Sequence, residues 1–390
     1  MADSPLRVAS IGYAFMGKAH SQAWRNVSAY FDVPAVEQSV LVGRNAEAVA
    51  VAGTKLGWKS TATDWREVIS RDDIDIVDVC TPGWMHAEVA IAALEAGKHV
   101  IVEKPIANTV EEAERMAAAF AVAEQRGQHA IVNFNYRRIP ALALAQRLVA
   151  DGRLGAIRHV RAAYLQDWLS DASGPMSWRL RKEEAGSGAL GDLGSHVADI
   201  VQHITGENIV SISGGLRTFV TERPPGASGD GGIRGSAGSG PLEPVTVDDA
   251  AWGTGQLAGG GIVQLEVTRM ALGCKNALTL EIYGENAAIT FDLESLNELW
   301  LFDGSDRAVE QGFRRILVTA ADHPYVGAWW PDGHILGWEH TFTHQFAEFL
   351  RSIRDSTPSS PSFDDGLRVQ RVLAAIAQSS ASGGSHIQLA

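Results

Sequence analysis

The sequence predicts an α/β protein of two domains. An N-terminal doubly wound parallel sheet of Rossmann type is followed by an α/β domain with a large open, mostly antiparallel sheet. Three observations carry this reading. From Arg7 to Phe134 short β-branched runs alternate with helical stretches, the pattern of parallel strands joined by crossover helices. After Asn135 strands follow strands, with apolar and polar residues alternating through Gly261–Val267, Ala277–Tyr283 and Ala287–Phe291, as in an antiparallel sheet covered on one face. Finally, the first strand runs into Gly12-Tyr13-Ala14-Phe15-Met16-Gly17 and then into a helix, the context in which a glycine turn binds a dinucleotide. The domains are set at 1–134 and 135–390, with the last helix expected to pack back on the first domain.

Bulk properties narrow the function. With 390 residues, 45% of them hydrophobic, the chain can bury a large core. A net charge of -13 argues against nucleic acid or an anionic membrane as partner. Two cysteines, Cys80 and Cys274, without a CxxC pair make a disulfide scaffold or thiolate zinc site unexpected. With neither a signal-like leader nor a membrane-length apolar run in the sequence, a soluble cytoplasmic protein is expected. The tryptophans, eleven in all, suit core packing and also give flat apolar platforms for sugar rings.

Taken in order, Arg7–Ile11 is the first strand. Gly12 makes the tight turn and Gly17 allows close helix packing, while Ala14 stands where a middle glycine lets the backbone approach pyrophosphate. Phe15 and Met16 belong to the helix N-terminus, whose N–H groups and dipole favour phosphate. The second strand, Ser39–Val42, ends in Gly43-Arg44, with no carboxylate for ribose hydroxyls; Arg44 can stack on adenine or pair with a 2′-phosphate. Hence NAD is expected, with NADP open. Asp75–Cys80 is a strand ending in Thr81-Pro82, followed by Gly83, Trp84, Met85 and His86 and a helix to Ala96, with Gly97 as its C′ residue. His99–Val102 is a buried strand that delivers Glu103-Lys104-Pro105 to its carboxyl end, where open α/β sheets bind ligands. Thr109-Val110-Glu111-Glu112 is a capping box. Helices are expected at Pro140–Ala150, Trp338–Ile353 and Asp365–Gln378, and Arg223–Pro244, rich in Gly, Pro and Ser, reads as a mobile loop.

The chemistry concentrates in a second constellation. Glycines at 186, 188 and 191 give way to a helix carrying Asp192 and His196 four residues apart on one face. An imidazole beside a carboxylate suits proton transfer near neutral pH. A helix cap at Asp192, a core histidine at 196 and half of a metal site are the competing readings; without well-placed further ligands, no metal is expected. Tyr136, Trp168, Trp178, Arg179 and His334 fall in loops or strand ends and are candidates to line a sugar site.

Together the glycine turn at Gly12–Gly17, Thr81-Pro82 with His86, Glu103-Lys104-Pro105, Asn135-Tyr136-Arg137 and Asp192…His196 resemble the Gfo/Idh/MocA oxidoreductase family over nearly the whole chain. The resemblance implies an NAD(P)-dependent dehydrogenase that oxidises a secondary hydroxyl of a pyranose or anhydrosugar. Lys104, Asp192 and His196 match the family's catalytic residues. Cofactor contacts are expected from Gly12, Ala14, Phe15, Met16, Gly17, Gly43, Arg44, Thr81, Pro82, His86, Glu103 and Lys104. Substrate contacts are expected from Lys104, Tyr136, Trp168, Arg179, Asp192, His196 and His334. The family also implies a homo-oligomer, dimer or tetramer. Alternatives are an inositol or polyol dehydrogenase, an NAD-dependent redox-assisted glycosidase, and a non-catalytic dinucleotide sensor.

Overall fold

The computed structural model describes residues 4–226 and 238–389. They divide into two compact units: Met1–Asn135 with Glu339–Leu367, and Tyr136–Trp338 with Arg368–Ala390.

The first unit contains β1 (Leu6–Ile11), α1 (Phe15–Tyr30), β2 (Val36–Val42), α2 (Ala46–Leu56), β3 (Ser60–Ala62), α3 (Trp65–Ile69), β4 (Ile76–Val79), α4 (His86–Glu95), β5 (His99–Val102), α5 (Val110–Glu124) and β6 (Ala130–Val132). Six parallel strands lie in the order β3-β2-β1-β4-β5-β6. Strand order reverses between β1 and β4, so Gly12 and Thr81 lead out from adjacent carboxyl ends, the place where such sheets take ligands. The central strands carry Val8, Val77, Val79, Val100 and Ile101 with no exposed surface, as a sheet covered on both faces requires. The expected capping box at Thr109 and Glu112 is present, and Gly97 takes φ +81° beyond α4. Helix His340–Asp355 completes this unit: Phe346 packs on Trp24 at 4.2 Å between ring centroids, and Phe342 and Phe346 flank His20 at 5.5 and 5.1 Å.

The second unit contains α6 (Pro140–Ala150), β7 (Ile157–Leu165), α7 (Lys182–Ala185), α8 (Ser195–Thr205), β8 (Ile209–Arg217), β9 (Glu222–Arg223), β10 (Glu243–Pro244), β11 (Ala250–Leu257), β12 (Ile262–Thr268), β13 (Ala277–Gly284), β14 (Ala287–Asp292), β15 (Glu298–Asp303), β16 (Arg314–Leu317) and β17 (Ile387–Gln388). Nine strands form one sheet in the order β16-β15-β14-β13-β7-β12-β11-β8-β17. Its pairs are antiparallel except β7 with β12. On one face Ala162 and Tyr164 of β7, Leu265 of β12 and Leu280 of β13 are buried, with α8 packed on β7. The other face is open. Of the stretch read as a mobile loop, residues 227–237 lie outside the described residues; its flanks do not form a free loop but pair as the β9–β10 ladder.

Candidate functional site

In the first unit the glycine turn is set by contact. Gly12 has φ +113°, and a Cβ there would stand 2.5 Å from the Cys80 carbonyl oxygen; one on Gly17 would stand 2.2 Å from the Gly12 carbonyl oxygen. Only glycine lets α1 begin this close to the ends of β1 and β4. Ala14 precedes α1 and caps nothing, and the first turn holds no acidic residue. The positive end of the helix dipole is therefore left for an anion. Thr81 Oγ1, at the end of β4, is buried without a hydrogen-bond partner among the described residues. A dinucleotide fits such a turn, with phosphates at the α1 N-terminus and a polar group for Thr81. Phe15 beside it is 46% exposed. At the end of β2, Tyr13 lies so close that a Cβ on Gly43 would stand 2.0 Å from its ring, and Arg44 is exposed.

The loops after β4 and β5 are tied by His86, whose Nε2 lies 2.9 Å from the Thr81 carbonyl oxygen and Nδ1 3.0 Å from that of Pro105. Burial pushes this imidazole below its usual pKa. Pro82 lies within the bracketed segment, and the Lys104–Pro105 bond is cis. Glu103, buried at the end of β5, is held from several sides. Its Oε1 accepts from Asn133 Nδ2 at 2.6 Å and pairs with His20 Nε2 at 2.7 Å, and its Oε2 accepts the Lys104 backbone N–H at 3.2 Å.

In the second unit Gly188 sits in a cradle: a Cβ there would stand 1.8 Å from the Asp248 carbonyl oxygen. The Asp248 carboxylate accepts the N–H groups of Gly188 and Leu190, both at 2.7 Å, and so caps the helix start in place of Asp192. Leu190–Gly194 then forms a π-helical turn, which carries Asp192 and leads into α8. His196 is buried on α8. Tyr136 stacks on its ring, with centroids 4.4 Å apart and planes at 23°, and Tyr164 approaches edge-on at 5.9 Å. Two aromatic rings therefore set the plane of the imidazole. Their hydroxyls meet at 2.9 Å; Tyr164 donates to Asn276 Oδ1 at 2.7 Å, and the Trp338 indole donates to Tyr136 at 3.2 Å.

Arg179 stands over the Trp178 ring, 4.5 Å from its centroid, and its Nη1 is buried without a partner among the described residues. Burial lowers the pKa of this guanidinium, and the Asp192 carboxylate works against that shift. A buried guanidinium with an unused N–H can donate to an oxygen acceptor.

Residues 6–134 match the oxidoreductase family with NAD-binding Rossmann fold, and residues 142–290 match the Gfo/Idh/MocA C-terminal domain. Levoglucosan dehydrogenase of Pseudarthrobacter phenanthrenivorans is 41% identical over 382 residues, 96% of each chain. The chain belongs to the Gfo/Idh/MocA family. Among solved structures, levoglucosan dehydrogenase in complex with NADH and levoglucosan superposes with a TM-score of 0.91 at 38% identity, covering 99% of each chain. An oxidoreductase domain protein from Kribbella flavida gives a TM-score of 0.94 at 52% identity, over 99% of this chain and 100% of that one. As a Gfo/Idh/MocA protein the chain is an oxidoreductase with an NAD-binding Rossmann domain.

Against this family frame, the remaining expected residues separate. Tyr136, Asp192, His196 and Arg179 fall in one neighbourhood of the second unit: Tyr136 touches His196, and Arg179 feels the charge of Asp192. Trp168 is drawn into a small apolar cluster with Leu169, Met176, Leu180, Val245 and Val247, its indole N–H donating to Gln166 at 2.8 Å. His334 lies in an exposed turn, with Nδ1 2.8 Å from the Pro331 carbonyl oxygen. Sequence reasoning missed Tyr164, Asn276 and Trp338 beside His196, and His20 and Asp78 behind Glu103. One signal for the latter pair was available. His20 shares the buried α1 stripe of Trp24 and Val27, and Asp78 interrupts the apolar run of β4, so each needed a buried polar partner.

Proposed function

We propose that this protein is an NAD-dependent dehydrogenase that oxidises a secondary hydroxyl of a pyranose or anhydrosugar, levoglucosan or a close analogue, to the keto sugar. The observation that carries the reading is the aromatic clamp on His196 beside Asp192 and Arg179, whose Nη1 has no hydrogen-bond partner among the described residues, a proton acceptor next to a donor for hydroxyl groups. The resemblance to levoglucosan dehydrogenase over 96% of the chain supports it.

The Gly12–Gly17 turn, the α1 N-terminus and Thr81 would hold a dinucleotide, which would supply the hydride acceptor. His196 takes the hydroxyl proton, its ring plane fixed by Tyr136. The Lys104 ammonium stabilises the negative charge that develops on the same oxygen. Asp192 accepts from a neighbouring hydroxyl and stabilises the imidazolium once it forms. Arg179 donates to a further ring hydroxyl. NAD is the preferred cofactor, since the levoglucosan dehydrogenase complex holds NADH; Arg44 leaves a 2′-phosphate tolerable at the end of β2. The protein works in the cytoplasm as a homo-oligomer, joined through the open face of the nine-stranded sheet.

The test is NADH absorbance with NAD or NADP against levoglucosan, glucose, simple glucosides and inositols. Stoichiometric NADH growth with an anhydrosugar or pyranose is expected, faster with NAD. Flat traces throughout, with glycoside cleavage and no net NADH, would overturn it in favour of a redox-assisted glycosidase. Growth with inositols alone would move the substrate class to polyols.

A further inference from the structure

No step above uses the polar network buried behind Glu103. The His20 ring has no exposed surface; its Nδ1 lies 2.8 Å from Asp78 Oδ1 and its Nε2 2.7 Å from Glu103 Oε1. Asp78 Oδ2 accepts the Trp24 indole N–H at 2.9 Å, and Glu103 Oε1 accepts the Asn133 amide at 2.6 Å. Ionised carboxylates only accept, so one at each nitrogen favours an imidazole protonated on both; the Asn133 amide nitrogen also lies 2.9 Å from Nε2. Burial is the largest influence and opposes that charge, but Asp78 and Cys80 together outweigh it, and the pKa of His20 stands well above its usual value. The third titratable group against the ring is Cys80, with Sγ 3.2 Å from Nδ1 and its thiol pushed up to about 12 by burial; Phe342 and Phe346 supply the apolar contacts. His20, Asp78 and Cys80 bring donor atoms within 4.8 Å of one another, the spacing of a metal site. Those same atoms face one another in hydrogen bonds, Asp78 Oδ1 and Cys80 Sγ both at His20 Nδ1, and together with Glu103 they form an ionic cluster.

Such a cluster is costly. Two carboxylates and one imidazolium out of water repay their desolvation only when every hydrogen bond is good, and apolar residues of the same volume often pack as stably. What the ions supply is direction. The chain of contacts runs from Trp24 through Asp78, His20 and Glu103 and ends on the backbone N–H of Lys104 at 3.2 Å.

We propose that His20 is a positioning residue for the reaction: it braces Glu103 against Asp78, and Glu103 in turn fixes the backbone that carries the Lys104 ammonium. This rests on the reading of Lys104 as the group that stabilises the reacting oxygen.

The test is a double-mutant cycle of His20→Gln and Lys104→Gln, read with the sugar that gives the fastest NADH growth. His20→Gln should lower kcat roughly tenfold or more while KM for NAD changes less than about threefold. In the Lys104→Gln background the same change should cost less than about twofold, because a brace has nothing left to hold. Equal factors in both backgrounds, or a His20→Gln enzyme within about twofold of the parent, would overturn the brace. Near-normal turnover by Lys104→Gln alone would instead sink the role of Lys104. If His20→Gln does not fold, Asp78→Asn breaks the far end of the brace and takes its place in the cycle. Nitrogen NMR of the ring needs no substrate: both nitrogens should be protonated at pH 8, and a neutral tautomer would overturn the proposal.

Discussion

His196 owes its orientation to aromatic rings. Tyr136 covers one face of the imidazole and shares a hydroxyl contact with Tyr164, which is itself buried and pushed well above the ordinary phenol range by that burial. Removing the proposed general base should be severe: His196→Ala is expected to lose ~10²–10⁴ in kcat while NAD binding survives. Tyr136→Phe keeps the stacked ring and loses only the hydroxyl, so it should cost about tenfold or less in kcat/KM, and Tyr136→Ala distinctly more. Steady-state kinetics of the three variants checks both statements, and equal losses from Phe and Ala would contradict the stack as the orienting contact. Much of this neighbourhood was legible in the sequence, because Asp192 and His196 lie on one local stretch and Arg179 just before it. Asn276 and Trp338 were not, because they come from far along the chain, Asn276 just before β13 and Trp338 just before helix His340–Asp355, and nothing local marks an asparagine or tryptophan as a partner for a tyrosine.

Elements were legible where their ends carry a chemical stop. Thr109 and Glu112 announce the start of α5, Gly97 the exit from α4, and Pro140 the first turn of α6, and all three stand as read. Helix His340–Asp355 starts two residues beyond the expected Trp338, and its N-cap Glu339 makes no side-chain cap, so no local signal fixes that end. The π turn at Leu190–Gly194 was likewise invisible, since it follows from how Asp248 and Gly188 seat the chain. Strand β5, which delivers Lys104, carries an acid-sensitive start. His99 Nδ1 accepts the His129 backbone N–H at 3.0 Å, and burial, with the His129 ring nearby, lowers its pKa from 6.5 to about 4. A folded value below the unfolded one means the stabilisation is complete above about pH 6.5 and drains away as pH falls toward 4. Thermal melts across that window should show Tm falling with acidification, and His99→Asn, which accepts without titrating, should flatten the slope. An unchanged slope in that variant would remove His99 from the account.

At the scale of the molecule, the sheet of the second unit has two unlike faces. Pairing carries Trp252 of β11 onto the same side as Glu266 of β12, Ala163 of β7, Thr279 of β13 and Thr290 of β14, and so to Trp300 of β15. Trp252 and Trp300 are 50% and 37% exposed there, and Ile262 is 48% exposed. Large aromatic groups on an open sheet suit a self-complementary contact between copies of the chain. Light scattering should report an oligomer that Trp252→Glu with Trp300→Glu weakens; a monomeric parent chain would sink this. Among the described residues, no helix is long and apolar enough to cross a membrane. The first unit shows why alternating strands and helices alone do not delimit a compact body: its own pattern ends near Asn135, yet residues 339–367 belong to it. Translation gives that arrangement a consequence in time. The ribosome releases all six strands of the parallel sheet long before Phe342 and Phe346 exist. Until they arrive, Trp24 and the His20 ring keep the side that those phenylalanines later cover bare. Residues 1–135 made alone should therefore aggregate or recruit chaperones, and the same residues joined by a short linker to 339–367 should come off the ribosome soluble. The nascent chain has to hold its dinucleotide-binding half unfinished while some two hundred further residues are synthesised, and the last of the wall behind Lys104 is laid only near the end.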